Sequence, residues 1–187
     1  MRTALATLVL TLAPMAAHAA DLAALNQAYQ QAGRQIIDQV NARTVDQAAV
    51  SARVLDMLRQ AVPAARDYAT RHPEGTRLIE AVIAQAAVLD DKGAVTAIGP
   101  MKDLPFTEIE TQWHDLGHFA KVDVGIDLAA EANEHFTDPL HAMIHPVMVL
   151  RAATDYAQAK DQASLDRMKA EMDEGMEQME KLAQAGK

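Results

Sequence analysis

Apolar positions recur at the helical period along most of this chain. Leu22, Leu25, Tyr29, Ala32, Ile36 and Val40 follow one another at three or four residues, which lays a single stripe along a helix and turns it toward a core. The pattern predicts a first long helix over about 22–43. Val50, Val54, Met57, Ala61, Ala65 and Tyr68 form a second stripe, widened by Leu55, Leu58 and Val62, with Pro63 expected to kink its helix. A third helix is predicted from Pro73 through Leu78, Ile79, Val82, Ile83, Ala86 and Leu89, with Gly93 as its C-cap. Connections this short favour antiparallel neighbours.

From Ala94 to Pro105 the period is lost, and Gly99-Pro100 and Leu104-Pro105 punctuate a loop. Helical signals then resume. Thr107-Glu108-Ile109-Glu110 has the form of a capping box and predicts a helix start, after which Ile109, Trp113, Leu116 and Ala120 make an apolar stripe. Residues 122–128 alternate apolar and polar, but no partner strand is visible, so an extended connection is expected there, followed by a short helix over Ala129 to His135. Thr137-Asp138-Pro139 predicts another helix, with Asp138 as N-cap and Leu140, Ile144 and Val147 as its stripe. Pro146 removes a bond to the Ala142 carbonyl and should kink it. A last helix, about Ser164 to Ala183, carries Leu165, Met168, Met172, Met176, Met179 and Leu182 in one seam. Methionines at core spacing are most simply gap-filling hydrophobes. Glu171, Asp173, Glu174, Glu177 and Glu180 then read as the solvated side.

The fold class expected is all-α: an up-and-down bundle of four or more helices, with a loop-rich, histidine-containing segment between the third and last helices. Residues 1–20 change the compartment. Met1-Arg2, the apolar run Leu5 to Leu12 and Ala17-His18-Ala19 have the form of a cleaved secretory signal, which leaves residues 21–187 as a single periplasmic domain. No later run approaches the length of a membrane span. There is no cysteine, so a disulfide, a thiolate metal site and covalent haem are all excluded. The formal charge is −9, or −10 once Arg2 leaves with the signal; an acidic chain without a basic patch argues against nucleic acid and suits cations.

Candidate chemistry is concentrated between Thr107 and His145, which hold five of the seven histidines. Glu110, His114 and His118 are each four apart and flank one apolar stripe; His141 and His145, also four apart, flank the next. Two such pairs on antiparallel helices would converge. Neutral imidazole is the commonest metal ligand, and a second ring nitrogen oriented by a carboxylate or carbonyl strengthens it. The expected site is therefore a metal centre of His114, His118, His141 and His145 with Glu110 nearby, and zinc or copper are the ions that imidazole without thiolate favours. A carrier, buffer or sensor follows. Non-covalent haem held by one His and one Met is also compatible with a helical bundle. The alternative is a metal-free module in which the methionine-rich last helix meets a protein partner, a small apolar ligand or a second copy. No nucleophile motif, phosphate loop or His-Glu-x-x-His helix argues for an enzyme.

Overall fold

The computed structural model describes residues 13–120 and 122–185, with side chains from Asp21 onward. The expected signal run Leu5 to Leu12 lies outside the described residues. The elements are α1 (Ala13–Asn41), α2 (Gln47–Arg71), α3 (Thr76–Ala86), β1 (Ala87–Leu89), β2 (Val95–Ile98), α4 (Phe106–Glu108), α5 (Thr137–Ala159) and α6 (Gln162–Gln184). A 3-10 turn, Pro73–Gly75, leads into α3; a second, Pro100–Asp103, follows β2; and a third, Glu131–Phe136, leads into α5.

The chain folds as an all-α helical bundle. α1 packs on α2 and α6, α2 on α5, and α5 on α6, so four long helices close a ring around one core. The stripes read from the sequence face that core: Leu22, Tyr29, Ala32, Ile36 and Val40 from α1, and Val50, Val54, Met57, Ala61, Ala65 and Tyr68 from α2, are all buried. Asp46 caps α2 and Asp161 caps α6, each carboxylate accepting a backbone N–H of the first turn.

α5 is enclosed further, because α3 and the segment after α4 also pack against it. Every residue from Ala142 to Leu150 is buried. A stretch that is apolar all round belongs in a core, and the one polar side chain that this stretch carries inside is His145. The methionine seam is spent in the same way. Met168, Met172 and Met179 are buried between α6 and its neighbours, and Met176 packs half-buried at their edge. Among the described residues only Val88 and Val122 are large exposed hydrophobics, and no helix is long and apolar enough to cross a membrane.

Two local expectations are corrected. The third helix ends at Ala86 rather than running on to Leu89, because Ala87–Leu89 pairs antiparallel with Val95–Ile98 in a small hairpin. The Gly99 N–H donates to the Ala86 carbonyl (2.8 Å) and fixes the crossing; a side chain at Gly99 would lie 2.3 Å from the Gln85 carbonyl oxygen. Gly93, with φ 82°, is a turn residue of this hairpin and not a helix cap. Second, the Glu131–Phe136 turn runs directly into α5, so the N-cap position falls on Phe136 and Asp138 lies inside the first turn instead of capping it.

Candidate metal centre

The first half of the site is built by a helix that fails. α4 begins at Phe106, with Pro105 at the cap, and the expected capping box does not form; Thr111 instead donates its hydroxyl to the Thr107 carbonyl (2.8 Å). From Ile109 to His114 the backbone widens into a π-helical turn, with the Asp115 N–H donating to the Glu110 carbonyl at 2.8 Å. The widening continues: Gly117 N–H reaches Thr111 and His118 N–H reaches Gln112, six residues back. Leu116, at φ 60°, ends the run. Four-residue spacing places two side chains on one face only while an α-helix lasts, so His114 and His118 part company here.

His114 turns toward α5, whereas His118 stacks on the Trp113 ring (centroids 4.5 Å apart, planes 22° apart) and meets Phe119 edge-on. The Glu110 side chain is exposed. Of the expected ligand set, the structure brings together His114, His141 and His145, and neither His118 nor Glu110 lies in that cluster. His135 lies elsewhere as well, its Nδ1 hydrogen-bonded to the Tyr68 hydroxyl and its ring 5.0 Å from that of His72.

The second half comes from one and a bit turns of α5. His141 and His145 keep their four-residue spacing, and their ring centroids are 5.3 Å apart. His114 stacks on His141 almost in parallel (4.4 Å, 6°) and stands 5.1 Å from His145 at 67°. Each of these three residues offers a ring nitrogen within 4.8 Å of the other two. Tetrahedral bonds of about 2.0–2.1 Å set ligand nitrogens about 3.4 Å apart, so small side-chain rotations would close the triad on one ion.

Pro146 does not leave its gap open. The Tyr29 hydroxyl, from α1, donates to the Ala142 carbonyl at 2.8 Å and replaces the bond that proline cannot make. The same tyrosine approaches α6 at Gly175, where an added Cβ would lie 2.9 Å from His145 Cβ and 3.1 Å from the Tyr29 hydroxyl oxygen. Gly175 therefore allows α6 to sit directly against His145.

Hydrogen bonds assign the rings. His145 Nδ1–H donates to Glu171 on α6 (2.8 Å), His114 Nδ1–H to Asp115 (2.9 Å), and His141 Nε2–H to the backbone carbonyl of His114 (3.0 Å). Ionised carboxylates and carbonyls only accept, so each imidazole donates from the nitrogen named, and the other nitrogen is the one that carries a lone pair when the ring is neutral. For His145 that other nitrogen, Nε2, is buried and has no hydrogen-bond partner. Its nearest acidic neighbour is Glu174 Oε2, at 3.8 Å. His141 is held neutral: burial, reinforced by the nearby His114, lowers its pKa to about 4 against the opposing bond to the His114 carbonyl. A neutral imidazole whose far nitrogen is oriented by an oxygen is the form that ligates metals.

Glu171, Glu174 and Tyr29 were not singled out from the sequence as site residues. The one local signal was Gly175, a glycine within the methionine seam at a position where the period demands a core side chain. Comparison with protein-family models, with curated proteins and with solved structures found no match to this chain.

Proposed function

We propose that this protein is a periplasmic metal-binding protein that takes one divalent ion or copper through His114, His141 and His145, and serves as a carrier, buffer or sensor. One observation carries the reading: three imidazoles converge with one nitrogen of each tied to a carboxylate or carbonyl, and the other nitrogen of His145 is buried without a hydrogen-bond partner. A buried polar nitrogen left unpaired costs free energy, and a metal ion is the partner its lone pair lacks. Zinc and copper suit imidazole donors, and without cysteine no thiolate competes for them. The acidic chain would concentrate cations around it. Export by the N-terminal segment supplies the compartment of this reading.

Chelator-competition titration of the metal-free protein with zinc and with copper tests it. Wild type is expected to bind one equivalent, and His114→Ala, at a ring that is a quarter exposed, to lose on the order of 100-fold in affinity without unfolding. His118→Ala and Glu110→Gln should bind as wild type does. Equal affinity in wild type and a His114→Ala, His141→Ala double variant, for both metals, would remove the reading.

A further inference from the structure

Three imidazoles leave a tetrahedral centre one ligand short. The missing donor has to come from an element that faces the same space, and Gly175 brings α6 to that place. Glu171 and Glu174 stand three residues apart on α6, one turn along the same face. They address opposite sides of one ring. Glu171 Oε2 accepts from His145 Nδ1 at 2.8 Å, while Glu174 Oε2 stands 3.8 Å from the unpartnered Nε2. Their surroundings differ too, since the Glu171 side chain is 15% exposed and that of Glu174 is 58% exposed.

A separation of 3.8 Å is too long for a hydrogen bond. It is close to the spacing of two ligands on one ion, about 3.4 Å for bonds near 2.0–2.2 Å, although Glu174 lies outside the group that the three histidines form and has to turn in toward it. Resting on the metal-binding reading above, we propose that Glu174 is the fourth ligand, and that Glu171 is the outer carboxylate that orients His145. Being mostly exposed, the Glu174 side chain can meet a hydrated ion at the surface of α6 and rotate inward with it. Charge then selects the ion. With the Glu174, Glu171 and Asp115 carboxylates and three neutral imidazoles, a dication leaves one negative charge in the centre and Cu(I) leaves two, the Glu171 carboxylate being the most buried of the three. A hard carboxylate oxygen also adds little to the bonding of soft Cu(I). The centre is therefore built for Zn(II) or Cu(II) over Cu(I).

The full chain is titrated with Zn(II), and with Cu(I) under anaerobic reducing conditions, each against a competing chelator. Wild type is compared with Glu174→Gln, Glu171→Gln and Glu180→Gln, the last removing one charge from an exposed α6 position outside the site. Glu174→Gln should lower Zn(II) affinity by on the order of 100-fold and leave Cu(I) within about threefold of wild type; Glu171→Gln should cost about 10–100-fold for both ions, as loss of an orienting partner does. Glu180→Gln should change neither. Substitution with Co(II) gives a second readout, because the visible ligand-field bands of a four-coordinate site should shift in Glu174→Gln and persist in Glu171→Gln. Zn(II) binding that is tight in wild type and unchanged in Glu174→Gln would overturn the fourth-ligand assignment alone. An equal loss in Glu180→Gln would overturn it as well, by reducing the effect to general charge. Absence of Zn(II) binding in wild type would remove both this assignment and the reading it rests on.

Discussion

At the scale of single residues, the fold controls the protonation of His141. Its native pKa is lowered to about 4, from an ordinary value of 6.5, chiefly by burial and then by His114. The sign follows from which state binds the proton. Between 6.5 and about 4 the unfolded chain takes up a proton at this ring and the native chain refuses it. The stability associated with a neutral His141 is therefore complete above 6.5, falls as pH drops through the window, and levels off below about 4. Urea unfolding of the metal-free protein across this window should show wild type losing more stability than His141→Gln, whose amide can still donate to the His114 carbonyl but does not titrate. A wild-type-minus-variant difference that is flat with pH would refute the burial argument.

At the scale of elements, α5 depends on α1 for a hydrogen bond that its own sequence forbids. Tyr29→Phe keeps the ring and removes the hydroxyl that serves the Ala142 carbonyl, leaving a buried acceptor unpaired. The expected loss is about 1–3 kcal/mol, read as a lower urea midpoint at unchanged slope. A change of only a few tenths would mean that the carbonyl finds another donor. The need for such a donor was legible in Pro146, but its identity was not, because Tyr29 is 113 residues away. The same division runs through the molecule. Stripes such as Leu22, Tyr29, Ala32, Ile36 and Val40 were legible because burial there obeys a local period. The hairpin at 87–98 was not, since it depends on the Gly99 N–H meeting the Ala86 carbonyl and on strand pairing, which no helical period encodes. Two of the four paired histidines were placed together through α5, and His114 joined them, but His118 was lost to a backbone event: the π turn and the left-handed Leu116 rotate it onto Trp113. Glu171 and Glu174 looked like solvent-facing acids because the ring they address, His145, is 26 residues from the nearer of them.

At the scale of the whole molecule, the candidate ligands tie together segments that are distant in sequence. His114 comes from the π turn, His141 and His145 from α5, and Glu174 from α6, while α5 itself contacts α2, α3 and α6. No such constellation exists in an unfolded chain, so an ion that binds here binds the native state and stabilises all of it. Free zinc at about 100 times Kd should add about 2.7 kcal/mol. For a chain of this size that corresponds to a rise in Tm of roughly 5–10 °C. Because α1, α2, α5 and α6 close a ring around one core, the shift should appear as a single displaced transition by circular dichroism and by the fluorescence of Trp113, the lone tryptophan. Excess chelator should return it to the metal-free value, and His114→Ala should show no rise at the same zinc concentration. Coincident Tm values with and without saturating zinc would mean that the ion does not distinguish the folded bundle from the unfolded chain, and the triad could not then be the place where it binds.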